Sequence, residues 1–297
     1  MKGAGGGPAR KFLIVTADDF GLHEAVNEAV EQAARAGALT TASLMVAAPA
    51  AADAVLRARA LPQLRVGLHL TLADGGAQLP RCDIPHLVDA HGRFDDRLVR
   101  EGWRYFALPR VRRQLEAEIR AQFAAFVRTG LALDHVNAHK HLHLHPTVLG
   151  LLIEVGRDFG APPVRVPAEP LWFAKRTSTT ALLAAAGLRA WVALMRRRLD
   201  SAGIVHNDHV FGIAASGSMD EARLLEILAR LPQGATEIYL HPALTSGQAI
   251  SPSMRAYRHA DELAALLSNR VKQAILASGA ACGGFRDLAS ASASRAA

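Results

Sequence analysis

The chain has 297 residues and a net charge of +7 at pH 7, with half of its residues hydrophobic and 21% charged. That is enough apolar material for one large α/β domain or two small ones, and it excludes a disordered body. Two isolated cysteines, Cys82 and Cys282, exclude a disulfide framework, and 5% aromatics without a recognisable module exclude a nucleic-acid partner.

The ends, residues 1–10 and 287–297, are small, polar and unpatterned and read as disordered tails around a single domain at 11–286. The start lacks the apolar run of a secretory signal, and no uncharged apolar stretch reaches about 18 residues. A reducing, cytoplasmic setting is therefore expected.

In chain order, KFLIVTADDFG gives a first strand that stops at two aspartates and a glycine. LHEAVNEAVEQAARAG has helical spacing and a stop at Gly37, ALTTASLMVAA is a second strand, and AAADAVLRARALP is a second helix. LRVGLHLTLADG is a third strand with His69 near its end, and residues 74–108 read as loop. VRRQLEAEIRAQFAAFVRTG is an amphipathic helix, ALDHVNAHKHLHLHP a strand plus loop, and TVLGLLIEVGRDFG a helix. VRVP is a short strand, ATEIYLHPA a strand ending in His241, and YRHADELAALLSNRVKQAILASG a closing helix.

Strand and helix alternate, which predicts parallel strands wrapped by helices. Asp18 and Asp19, His69, His139 and His241 close four separate strands. A barrel collects its chemistry at such strand ends, whereas an open sheet concentrates it at one switch point, so a closed (β/α) barrel is expected.

Adjacent aspartates after a buried run repel each other unless a cation or proton lies between them, although either one alone could cap the following helix. His69 alone reads as a hydrogen-bonded core residue as readily as a ligand. Five of the 13 histidines fall within residues 135–145, and if that stretch is extended they share one face. A catalytic divalent ion takes about three protein ligands and keeps positions open for water and substrate, so most of the five must serve otherwise. Asp, His and His from three strands can assemble such a site, and the chemistry it suits is hydrolysis. No G-x-S-x-G elbow is present, and the glycines of GAGGGP precede the first strand, where they form no phosphate loop.

TADDFGL, VGLHLTL, the H-x-x-x-H-x-H-x-H run before a proline, and EIYLHPA occur in that order, and with them the chain resembles the YdjC/ChbG family of carbohydrate deacetylases. More narrowly it resembles the branch associated with hopanoid biosynthesis, HpnK. The resemblance implies a metal-dependent N-deacetylase on a distorted, polysaccharide-deacetylase-like barrel. It implies Asp19, His69 and His139 as ligands of one divalent ion, Zn²⁺ or Mg²⁺, with Asp18 as the base and His241 placed to act as the acid or to orient the leaving group. His141 and His143 follow as neighbours of the ligand. Asn137 stands where relatives often carry an aspartate, keeping the hydrogen bonds and losing the charge. The implied substrate is an N-acetylglucosaminyl glycolipid, the alternative being soluble chito-oligosaccharides. A metal-dependent phosphoesterase, with Arg165 on the phosphate, is a further reading; that arginine equally suits a sugar hydroxyl or a core salt bridge.

Residues 171–200 form a helical insertion whose apolar segment ends in Arg196, Arg197 and Arg198. It reads as a core helix or homodimer face, or, over 180–198, as an interfacial helix with its arginines on anionic headgroups at the inner face of the membrane.

Overall fold

The computed structural model describes residues 11–173, 179–244 and 250–288. The strands are β1 (Phe12–Phe20), β2 (Thr41–Leu44), β3 (Arg65–Leu70), β4 (Leu133–Ala138), β5 (His209–Phe211), β6 (Ala235–Leu240) and β7 (Ala281–Cys282). The helices are α1 (Glu24–Ala36), α2 (Ala51–Arg59), α3 (Leu98–Ala107), α4 (Pro109–Arg128), α5 (Pro146–Arg157), α6 (Thr179–Ser201), α7 (Glu221–Ala229), α8 (His259–Leu267) and α9 (Asn269–Ala277).

All strand pairs are parallel, in the order β4-β3-β2-β1-β6-β5, with β7 on the start of β1. Between β4 and β5 one residue completes the circle: Val164 bridges to Val136 on one side and to His206 on the other. The VRVP strand is thus reduced to a single bridging position, and the result is the expected distorted (β/α) barrel.

Strand alternation sorts the side chains into two environments. Leu13, Val15 and Ala17 of β1 and Leu68 and Leu70 of β3 join the main apolar core with the helices. The barrel interior differs. Ile14, Ala235, Phe285 and Leu288 form a small apolar plug at one end. Above it the buried residues are polar: Thr16, Thr41 and Glu237, then Asp18, Ser43, Asn137 and Arg165. Residues 1–10 and 289–297 of the expected tails lie outside the described residues, whereas Leu288 is buried and Asp287 lies 3.4 Å from Arg65.

Three elements differ from their sequence pattern. Residues 74–108 are not all loop, because they contain α3. That helix is hidden because its polarity is reversed: Glu101 (3% exposed) and Tyr105 (1%) face inward, while Trp103 (66%) and Phe106 (74%) face water. The closing helix is two helices, broken at Ser268, whose hydroxyl caps α9 by accepting from the Arg270 and Val271 amides. β5, at three residues, is too short to display an alternation.

In α6, Val192, Met195 and Leu199 are buried, and the Trp191 indole N–H donates to the Leu144 carbonyl at 2.7 Å. This half of the insertion is a packing helix. Leu182 and Leu183 lie outside the residues whose side chains are described. Among the described residues no helix is long and apolar enough to cross a membrane.

Candidate active site

Alternation should send Asp18 and Asp19 to opposite faces of β1. Between Ala17 and Phe20, however, β1 carries one residue more than β2 beside it, and Asp19 takes φ of 62°. This bulge turns both carboxylates into the barrel mouth. A non-glycine residue in that left-handed region costs on the order of 1–3 kcal/mol, and such strain concentrates at functional sites.

At the mouth, Asp19 Oδ1 lies 3.3 Å from His69 Nε2 and 3.0 Å from His139 Nδ1. One donor atom from each of the three residues falls within 4.8 Å of the others, and all three residues are buried. Neither Asp19 oxygen makes a hydrogen bond of good geometry despite those approaches. A buried, unsatisfied carboxylate is costly unless a positive charge lies against it. Two imidazole nitrogens and one carboxylate oxygen therefore fit a divalent cation, with no crowding from a fourth protein ligand. Burial opposes ionisation of Asp19, but the His139, His69 and His241 rings hold it well below the usual carboxylate range. Burial also works to lower His69, yet the Asp18 and Asp19 carboxylates raise it above the ordinary imidazole value.

Asp18 stands behind this trio. Arg165 donates to it twice, Nη1 to Oδ2 at 2.6 Å and Nη2 to Oδ1 at 3.0 Å. The same guanidinium donates twice to Glu237, at 2.8 and 2.7 Å, and lies over the Tyr239 ring at 4.6 Å. Thr16 donates to Glu237 at 2.6 Å from the neighbouring strand. Burial raises the Asp18 carboxyl, but the Arg165 charge and hydrogen bonds outweigh it and hold the group far below its usual range. Arg165 is itself wholly buried between its two carboxylates, so it is a core salt bridge and is not available to a phosphate or a sugar hydroxyl.

The histidine segment does not stay extended. β4 ends at Ala138, and a 3-10 turn over His139–Leu144 follows, with Lys140 and His141 at φ of 52° and 53°. The shared face is lost and the rings disperse. His135 lies inside the barrel, stacked on Phe285 at 4.7 Å. His141 Nε2 is 2.9 Å from the Tyr239 hydroxyl, and burial, with the Arg165 charge, pushes its ring down to about 3. His143 is buried edge-on to His141 at 5.9 Å and is held well below its ordinary value by burial. His145 caps α5 by accepting from the Thr147 amide. Only His139 joins Asp19 and His69.

His241 is 3.9 Å from Asp19, Nε2 to Oδ2, and its backbone is held by Glu262 and His259. A cavity of about 200 Å³ opens between Asp18, His69, His139, His241, Tyr239 and Tyr257. Across its rim Asp74 pairs with Lys140 at 2.9 Å and accepts from Ser253 at 2.5 Å. Glu237, which binds Arg165, and Tyr239, which lines the cavity, are site neighbours absent from the sequence-derived candidates. Their signal was present, because Glu237, Tyr239 and His241 share one parity along β6 and point where His241 points.

The chain is 32% identical over 267 residues to a carbohydrate deacetylase of Brevibacillus brevis, covering 89% of this chain and 94% of that one. It is 30% identical over 258 residues to a carbohydrate deacetylase of Geobacillus stearothermophilus, covering 86% and 89%. A crystal structure from Enterococcus faecalis V583 shares the fold, with a TM-score of 0.73 at 24% identity over 94% of this chain and 99% of that one. The family model of YdjC-like proteins matches residues 12–277, across all the residues of the site, and the chain belongs to that family.

Proposed function

We propose that this protein is a metal-dependent carbohydrate N-deacetylase that hydrolyses the acetamide of an N-acetylglucosaminyl group. The observation that carries this reading is the buried Asp19 carboxylate, without a well-formed hydrogen bond, facing His69 and His139 at the mouth of a polar barrel. The carbohydrate deacetylases among its relatives support the substrate class.

Asp19, His69 and His139 would hold the ion, Zn²⁺ or Mg²⁺. A divalent ion held there supplies Lewis acidity towards a carbonyl oxygen and lowers the pKa of water. Asp18 accepts the proton of the attacking water. Arg165 fixes the Asp18 carboxylate in place and keeps it ionised, which secures the acceptor state and weakens its hold on the proton. His241, on the other side of Asp19, donates a proton to the departing nitrogen. The C–N bond breaks, and the products are acetate and a free amine. Tyr257, half-buried at the cavity wall, supplies a hydroxyl-bearing ring on which a sugar can stack.

The preferred substrate is a lipid-linked, hopanoid glycoside, met at the cytoplasmic face of a membrane. Support comes from surface chemistry. Trp103 and Phe106 are exposed side by side on α3, and residues 97–113 carry six arginines against the single acid Glu101. Arg110, Arg112 and Arg113 are exposed among them. An apolar stripe flanked by arginines suits an anionic lipid surface. Among the described side chains of the 180–198 segment, the exposed Leu194 adds to this, whereas Val192 and Met195 face the core. The phosphoesterase reading loses its anion holder, because Arg165 is wholly buried between the Asp18 and Glu237 carboxylates.

The test is to incubate the metal-loaded protein with N-acetylglucosaminyl glycolipid, chito-oligosaccharide and phosphomonoester substrates and to assay acetate and phosphate. Acetate release without phosphate release is expected. Phosphate release, or neither product, overturns the assignment.

A further inference from the structure

His69 can bind a cation through Nε2 only if its hydrogen sits on Nδ1, so whatever faces Nδ1 decides whether this ligand is available. The atom facing it belongs to Asn137, 2.6 Å away and fully buried. An amide offers an oxygen on one side and an NH2 on the other. With the oxygen toward His69, Nδ1–H donates to it and Nε2 is left with its lone pair. With the NH2 toward His69, the ring hydrogen moves to Nε2, where it blocks ligation. The second orientation would let the amide oxygen accept from Ser43 at 2.8 Å and from both Arg165 terminal nitrogens at 3.0 Å. Asn137 therefore sits between two competing demands.

The neighbours behind it resolve the competition. At the far end of a chain of contacts lies Asp134, a buried carboxylate that accepts from the Phe285 and Arg286 amides at 3.0 and 3.1 Å. Burial raises its carboxyl, but the His135 hydrogen bond and those amides lower it overall, so it is an acceptor only. His135 Nδ1–H donates to it at 2.9 Å, and the tautomer that donates there carries its lone pair on Nε2, which accepts. Ser43 Oγ lies 3.1 Å from that nitrogen and has one hydrogen to give. Once that hydrogen is given to His135, the Ser43 oxygen must accept, and the donor 2.8 Å away is the Asn137 NH2. The Asn137 oxygen then faces His69. Arg165 has one uncommitted Nη1 hydrogen to set against this order, its other terminal hydrogens being given to Asp18 and Glu237, while the Asn137 NH2 finds a second acceptor in Asp18 Oδ1 at 3.3 Å.

The fold makes this path deliberately. β4 carries one extra residue opposite β3 between Val66 and Leu68, which brings Asp134 and His135 together at a bulge. Gly67 lies between Ser43 on β2 and the bulge on β4, and a Cβ there would fall 2.4 Å from the His135 ring. Only glycine lets Ser43 and His135 meet across the intervening strand.

We infer that Asp134, His135, Ser43 and Asn137 form a one-way hydrogen-bond relay that sets the tautomer of His69 and so keeps it ready to bind the metal. These are positioning residues, and none touches substrate. The inference rests on the metal-centre reading above and adds what maintains that centre.

The test uses the full chain and Zn²⁺ alone, titrated against a competing chromophoric chelator. Ser43→Ala removes the group that tells Asn137 which way to face, and a loss of about tenfold or more in Zn²⁺ affinity is expected. An aspartate at 137 presents oxygen in both directions, so orientation ceases to matter. Ser43→Ala introduced into Asn137→Asp should therefore leave the affinity of Asn137→Asp unchanged. Equal losses in both backgrounds, or no loss in either, overturn the relay while leaving the metal centre standing. If the unaltered chain binds no Zn²⁺, the metal-centre reading itself fails. Nitrogen-15 spectra of the imidazoles give a second readout, with the Ser43→Ala variant moving the His69 hydrogen from Nδ1 to Nε2.

Discussion

Arg165 grips Asp18 with two hydrogen bonds, at 2.6 and 3.0 Å, the guanidinium wholly buried and the carboxylate at the wall of the cavity. Asp18 and Glu237 are tolerated inside the barrel because this guanidinium lies between them. Arg165→Met should cost about 3–5 kcal/mol, since it leaves two buried carboxylates uncompensated. Urea unfolding measures it, and a change below about 1 kcal/mol would contradict the reading. The pH dependence follows from the same pair. The folded-state value of Asp18 is depressed, so its stabilisation is complete above the unfolded aspartate value of about 3.9 and is lost as the pH falls through the depressed value. The unaltered protein should lose stability below about pH 4, and Arg165→Met should have less of this acid-sensitive increment to lose.

Asp18→Asn keeps the shape of the carboxylate and removes its ability to take a proton. Turnover should fall about 10²- to 10⁴-fold while Zn²⁺ still binds at one ion per chain. Near-normal turnover with metal bound would assign the proton acceptor elsewhere.

Metal binding should depend on pH through His69. Its folded value is raised, so the ring carries a proton to a higher pH than a free imidazole, and that proton must leave before Nε2 can ligate. Apparent Zn²⁺ affinity should level off in the alkaline range and fall about tenfold per pH unit below the raised value. Titrations from pH 6 to pH 8 that show no slope would contradict this.

The lipid-facing proposal is tested by flotation with phosphatidylcholine vesicles that contain or lack about a third phosphatidylglycerol. The protein should float with the anionic vesicles only, and Trp103→Ser with Phe106→Ser should abolish flotation while deacetylation of a soluble sugar continues. Absence of flotation by the unaltered protein would remove the support for a membrane-bound substrate.

Much of this architecture is legible in the sequence, and the unreadable parts share a cause. Asp19, His69 and His139 can be found because each ends a strand, and strand ends converge in a barrel. That Asp18 and Asp19 both face inward cannot be read, since alternation separates them and only the bulge with its left-handed Asp19 reunites them. Arg165 and Glu237 are 72 positions apart, and no local pattern links them. The dispersal of the five histidines rests on two left-handed residues, Lys140 and His141, that carry no glycine to announce the turn. α3 is not legible because Trp103 and Phe106 point outward while Glu101 points inward, which inverts the pattern that marks a surface helix.

The central claim is that Asp19, His69 and His139 hold the ion that makes amide hydrolysis work. Acetate release from an N-acetylglucosaminyl substrate, followed in the chelated protein, after Zn²⁺ or Mg²⁺ is restored, and in Asp19→Asn, tests it most directly. The account predicts no release after chelation, recovery on adding the ion, and no recovery in Asp19→Asn. Undiminished release by the chelated protein, or full recovery in Asp19→Asn, would contradict it.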